Sequence, residues 1–466
     1  MSATSTNGGE GFFNFNFSPY LPPNAKKQLL EYQYHGTDKS LIYKYMWKPL
    51  CASAVEKLPV WLAPNVITVT ALALVCVTHA ALAYYMPNLT VEEGVVTPSY
   101  IFALTGIMLF AYQFLDNLDG HQARRTKTSS PLGLLMDHGC DAFNTIIGSI
   151  SVATAVCAGP SWKSWTVLIT AVIVFIMNTW EEYYRGALIL PIINGPNEGI
   201  LVAIGIYFMT AVVGPAWWIT NSVTIAAASL PNFFQKSSFS PFSQDLFATL
   251  QLPDHYHERL MMNMYDADVD PVTGNASVTI LYNTIAVGFL VLSGTVTSLG
   301  NVFQVYRAVN GGNPEGHGKY GSGWFLKHCP FLHALTRLLP LLVINVLANA
   351  WFFHSPTHIF VQHPRIFCWT VGLLYTKLSI HLMIAHLCSI EFHPFRRTLV
   401  PFLYFAGHIA FTFWNRGEVP TPHFARLKLM IVFIFHGVVL CYQTPMGRKQ
   451  FSHSFNRVEF GVKFIL

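Results

Sequence analysis

The stretch DNLDGHQARRTKTSSPLGLLMDHGCD, residues 116–141, is where the chain declares its fold. It lies where two apolar runs, 99–118 and 138–158, come together, and each run is long enough to cross a hydrocarbon core of roughly 30 Å as a helix. Four aspartates therefore stand at a membrane edge. Asp116 and Asp119 are three apart at the end of one helix, and Asp137 and Asp141 four apart near the start of the next. Residues three and four apart share a helix face, so two neighbouring helices aim four carboxylates at one region. A carboxylate buried near lipid costs on the order of several kcal/mol unless it meets a cation or a partner. Four hard oxygen ligands suit Mg²⁺ or Mn²⁺, with room for two ions, and not the metals that prefer His or Cys. The competing reading pairs Asp116 and Asp119 with Arg124 and Arg125 as structural salt bridges.

Gly120 and Ala123 continue the Asp116–Asp119 face, and their lack of bulk lets a ligand approach the backbone closely. Arg124, one turn past Gly120, offers a bidentate fork to phosphate oxygens that the metal ions also touch. A diphosphate is the ligand this pattern fits.

Further out, the 466 residues are 52% hydrophobic and 11% charged, where a soluble domain carries about 25% charged residues. Ten apolar runs read as spans: 64–86, 99–118, 138–158, 163–184, 198–220, 276–298, 331–352, 367–390, 398–414 and 427–443. Ahead of them, 24–60 mixes Lys with Tyr and Trp, as expected of an interfacial helix, and 1–23 reads as a flexible N-terminus without the pattern of a signal peptide. Eight cysteines show no CxxC pair and are assigned to packing. Counted on alternate sides of ten spans, Lys and Arg number 19 against 7, which puts both termini in the cytosol. Two sequons, at Asn88 and Asn275, then fall on the lumenal side. The net charge of +5 is spread over several cytosolic segments, so no nucleic-acid partner is expected. The acidic run of Asp266, Asp268 and Asp270 reads as part of a solvated lumenal loop, with calcium binding as the minor alternative. Arg337 and Lys377, charged within spans, should face the bundle interior or snorkel, and His381, His386, His408 and His436 are expected to hydrogen-bond between helices.

The pattern D-x2-D-G-x2-A-R-x8-G-x3-D-x3-D, here Asp116, Asp119, Gly120, Ala123, Arg124, Gly133, Asp137 and Asp141, resembles the signature of the CDP-alcohol phosphotransferases. Eight fixed positions arise by chance at roughly one in a billion per starting residue. Ten spans, the run Pro64 to Thr68, the Gln122-Ala123-Arg124-Arg125 run, the Asp137-His138-Gly139-Cys140-Asp141 run and the segment Asn194 to Gly199 resemble the eukaryotic choline/ethanolamine branch over about residues 40–450. His121 and Leu134 depart from that branch, at positions the signature leaves free.

The resemblance implies an all-α polytopic bundle in which 64–298 form the catalytic unit, 299–443 an added four-helix scaffold that supports a homodimer, and 444–466 a cytosolic tail. It implies transfer of a phospho-alcohol from CDP-choline or CDP-ethanolamine to diacylglycerol, at the cytosolic face of the endoplasmic reticulum or Golgi. Asn65 becomes a donor contact, beside its plain reading as a helix cap, and Gly133 part of the donor site. His138, bordering the metal face, is the candidate base for the lipid hydroxyl; Glu198, as the resemblance suggests, is its carboxylate partner. A transporter would instead be expected to show repeated halves, with acids and broken helices in both. A site-dead scaffold is the other alternative, against which stand the intact signature positions.

Overall fold

The computed structural model describes residues 28–29, 32, 36–191, 195–226, 266–269, 276–311, 328–355, 359–394 and 407. The chain enters through a short strand, β1 (Gly36–Asp38), a π-helical turn (Tyr43–Trp47) and helix α1 (Lys48–Lys57). Four long helices follow: α2 (Pro64–Tyr85), α3 (Ser99–Thr126), α4 (Pro131–Ala155) and α5 (Trp162–Arg185). Strand β2 (Leu188–Leu190) pairs in parallel with β1. Beyond it come a π-helical turn (Gly195–Gly199), α6 (Ile200–Val213) and the one-turn α7 (Trp217–Thr220).

Local chemistry sets the helix ends around the aspartates. Lys127 adopts the left-handed conformation at φ 57°, and the Thr128 amide donates to the Ala123 carbonyl at 2.9 Å, which closes α3 in the manner of a C-terminal cap. Ser130 then caps α4: its Oγ accepts from the Gly133 amide at 3.1 Å, and Pro131 occupies a first-turn position where no N–H is needed. So short a link turns the chain back and brings the two aspartate pairs to the same end, with α2 packed against both helices.

The expected span at 276–298 begins differently. Residues 276–281 form strand β5 (Ala276–Leu281), which pairs antiparallel with β3 (Ser222–Ala226) and β4 (Asp266–Val269). The ASVTIL run is apolar enough to extend a span, yet its β-branched residues favour a pleated pairing, a choice hydropathy alone does not make. Helix α8 starts at Tyr282 and runs unbroken to Asn310, through the expected 298/299 domain boundary. Two of the three acids of the 231–275 loop, Asp266 and Asp268, lie on β4. Helices α9 (Pro330–Thr336), α10 (Leu339–His354), α11 (Ile359–Gln362) and α12 (Pro364–Leu387) complete the described chain. The spans expected at 398–414 and 427–443, His408, His436 and the tail lie outside the described residues, as does the start of the interfacial segment.

Among the described residues, seven helical segments are long and apolar enough to cross a membrane: α2, α3, α5, Gly195–Val213, α8, Pro330–Phe353 and α12. Helix α4, equally long, packs among α2, α5 and α12. On α8 the exposed side chains Phe289, Leu292, Val296, Leu299 and Phe303 recur at three- and four-residue intervals, an outward apolar stripe suited to lipid. Helix α12 is the opposite case, buried along nearly its whole length. It packs so closely on α4 that a Cβ on Gly372 would stand 2.8 Å from Ile146 Cγ1. Arg337 and Lys377 are both buried, Arg337 against Glu391. The protein is an integral membrane helix bundle, and α12, from the segment expected to be a scaffold, is part of its centre.

Candidate active site

The α3–α4 hairpin places oxygen atoms of Asp116, Asp137 and Asp141 within 4.8 Å of one another, all partly buried. The Tyr112 hydroxyl, one turn before Asp116, donates to Asp141 Oδ1 at 2.6 Å. Among the described residues, Oδ1 of Asp116 and Oδ1 of Asp137 are buried with no hydrogen-bond partner. Like charges this close, with orphaned lone pairs, repel one another unless a cation sits among them, so the residues present fit a hard divalent ion. Asp119, 7% exposed, stands apart from the converging trio. Its Oδ2 accepts a hydrogen bond from the Thr68 hydroxyl of α2.

The rest of the expected donor site gathers at the same end. A Cβ on Gly133 would lie 3.4 Å from Ser130 Oγ and 3.6 Å from Asn65 Oδ1, so the α2 start and the α4 start meet there. At Gly120 the neighbours a Cβ would meet are the guanidinium nitrogens of Arg124, the nearer at 3.5 Å, and Ala123 lies one turn on along α3. Arg124 is exposed. Among the described residues, no ion pair joins Arg124 or Arg125 to an aspartate. Arg125 instead donates to the Leu58 carbonyl at 2.7 Å and to that of Glu56 at 3.3 Å, and Gln122 to those of Pro59 and Leu62 at 2.9 and 3.0 Å. These two side chains fasten the α1–α2 link over the end of α3.

The expected His138–Glu198 pair is not what the structure brings together. His138 Nε2 lies 3.9 Å from Glu182 Oε2 on α5, and Nδ1 lies 3.2 Å from the Leu134 carbonyl. A carbonyl only accepts, so Nδ1 carries a proton and Nε2 is the nitrogen turned toward Glu182. Glu198 accepts from Ser40 Oγ at 2.6 Å, because β1 pairs with β2 and carries the N-terminal segment over the Gly195–Gly199 turn. In the same junction Asn197 donates to Asp38 Oδ2 at 2.7 Å. Burial pushes the Asp38 carboxyl above the usual carboxylate range, against the bonds from Ser40 and Asn197. The sequence offered little toward Thr68, Tyr112 or Glu182. Thr68 lies one turn past Asn65 and Tyr112 one turn before Asp116, so helical spacing from residues already singled out was the available signal; Glu182 offered none.

Comparison with known proteins gives the arrangement its place. Residues 61–230 match the CDP-alcohol phosphatidyltransferase family model, a range that contains all eight signature positions. Choline/ethanolaminephosphotransferase 1 of Arabidopsis thaliana is 30% identical over 372 residues, covering 79% of each chain. Cholinephosphotransferase 1 of Xenopus laevis is 30% identical over 379 residues, 80% of this chain and 75% of that one. An uncharacterized class-I family protein of Dictyostelium discoideum is 28% identical over 421 residues, 89% of this chain and 92% of its own. A membrane bundle of this kind with a clustered acidic site is a phosphotransferase acting within the bilayer. The chain belongs to the CDP-alcohol phosphatidyltransferase family.

Proposed function

We propose that this enzyme transfers phosphocholine or phosphoethanolamine from the CDP-alcohol to diacylglycerol, releasing CMP and forming phosphatidylcholine or phosphatidylethanolamine. The observation that carries the reading is the convergence of Asp116, Asp137 and Asp141, two of them with orphaned buried oxygens, in a chain whose relatives are named for these transfers. Asp116, Asp137 and Asp141, with Asp119 as the fourth ligand, hold Mg²⁺ or Mn²⁺, two ions in the full site. An ion held by these carboxylates would supply charge neutralisation for the diphosphate and for the departing CMP.

The chain's own side chains account for the remaining steps. Arg124 forks onto phosphate oxygens, and Gly120, Ala123 and Gly133 leave room for the nucleotide beside Asn65. His138 takes the proton of the diacylglycerol hydroxyl at Nε2 as that oxygen forms its bond to the β-phosphorus; the bridging P–O bond breaks, and its electrons leave with CMP. Tyr112 and Thr68 hold Asp141 and Asp119 in place. The site opens to the cytosol at the endoplasmic reticulum or Golgi, and helices beyond α8 support a homodimer. Purified protein supplied with diacylglycerol, Mg²⁺ and each labelled CDP-alcohol in turn tests the substrate assignment. Label appearing in lipid from neither would reject it.

A further inference from the structure

Glu182 is 2% exposed, and its Oε1 has no hydrogen-bond partner among the described residues. An ionisable group left this way in a membrane bundle is expensive, and residues of this kind mark functional positions. Two imidazoles flank it: His138 Nε2 of α4 at 3.9 Å from Oε2, and His386 Nε2 of α12 at 3.8 Å from Oε1. His386 is in turn 3.2 Å from the Tyr32 hydroxyl. With Nδ1 of His138 committed to Leu134, Nε2 is the ring nitrogen that faces Glu182.

A second observation falls at the same place. A narrow recess, with room for about one water-sized group, lies between α4, α5 and α12, lined by His138, Gly139, Phe175, Thr179, Ser379 and Met383 among others. Thr179 is one turn before Glu182, and Met383 one turn before His386, so the carboxylate stands beside the recess into which His138 faces. A recess of this size admits a single hydroxyl or a water beside the imidazole.

We propose that Glu182 is a positioning residue for the transfer: it flanks Nε2 of the His138 imidazole, and its charge would stabilise the imidazolium formed when Nε2 takes the hydroxyl proton. This rests on the reading of His138 as base, and it gives the carboxylate role to Glu182 in place of Glu198. The bond changes are those of the transfer itself. The proton moves from the acceptor oxygen to Nε2.

The test uses the purified full-length protein with saturating Mn²⁺. Glu182→Gln should lower kcat by about tenfold to a hundredfold, the range for partners that orient a site residue, while KM for the CDP-alcohol and the thermal midpoint stay near wild type. In a His138→Ala background it should change nothing further, because residues acting as a unit are non-additive. A wild-type kcat in Glu182→Gln, or a loss that follows a fallen thermal midpoint and adds fully to His138→Ala, overturns the inference. If the Gln variant does not fold, Glu182→Asp carries the test: a lowered kcat at unchanged KM supports the role, and an unchanged kcat ends it. His138→Ala separates the two readings. Normal turnover there removes the base itself, whereas lost turnover beside a normal Glu182→Gln removes Glu182 alone.

Discussion

Asp116, Asp137 and Asp141 make a site that is costly in the absence of a cation, and that cost is measurable. Mn²⁺ should raise the thermal midpoint of the wild-type protein, by an amount set by about 2.7 kcal/mol at a hundred times the dissociation constant. Asp137→Ala should remove the shift together with turnover, and its own metal-free midpoint should not fall, since one repelling charge is gone. A metal-free midpoint that collapses would assign Asp137 to packing. Arg124→Lys keeps the charge and loses the fork, so KM for the CDP donor should rise several-fold more than KM for diacylglycerol; equal rises would make Arg124 structural. The eight signature residues were legible because they occupy 26 consecutive positions with helical spacing. Their partners were not, because they arrive from other helices. Thr68 is one β-branched residue in an apolar run, and Glu182 follows Glu181 at a helix end, where acids are ordinary. Glu198 was singled out by resemblance, but its position across the β1–β2 pairing depends on contacts 158 residues apart in sequence.

Helices α3 and α4 are held in register by a turn and by a close neighbour. Ser130→Ala removes the cap that fixes the α4 start against Asn65, and should cost about 1 kcal/mol of stability, read as a lower thermal midpoint, with a larger KM for the donor as Gly133 and Asn65 part. Gly372→Ala puts a Cβ against Ile146 in a packed core, where overpacking costs typically 1–3 kcal/mol; the measurement is again the midpoint, with a wild-type value contradicting the α4–α12 contact. Helix length and hydropathy made most elements legible, since crossing a hydrocarbon core demands some twenty apolar residues. They failed at 276–281, where an apolar run chose a strand. Sequence order set α12 after the 298/299 division, and its packing against α4 and α5 was not legible there because those contacts join segments far apart in the chain.

At the scale of the molecule, a bundle with its acids at one end and an apolar stripe on α8 lets a nucleotide arrive from water and a lipid from the bilayer. Both termini are expected on the acidic-cluster side, so tags at either end should be cleaved by protease added to sealed microsomes; protection of both would reverse the orientation. The account as a whole stands on one claim, that the three converging aspartates hold the cation on which transfer depends. The measurement that tests it most directly is CMP release and phospholipid formation together, as Mg²⁺ is titrated, in wild type and in Asp137→Asn. The two products should appear in equal amounts and only with the cation, and Asp137→Asn, nearly isosteric, should lose at least about a hundredfold in rate as a hard-cation ligand is removed. Transfer that proceeds in chelator, or at the wild-type rate in Asp137→Asn, would contradict it.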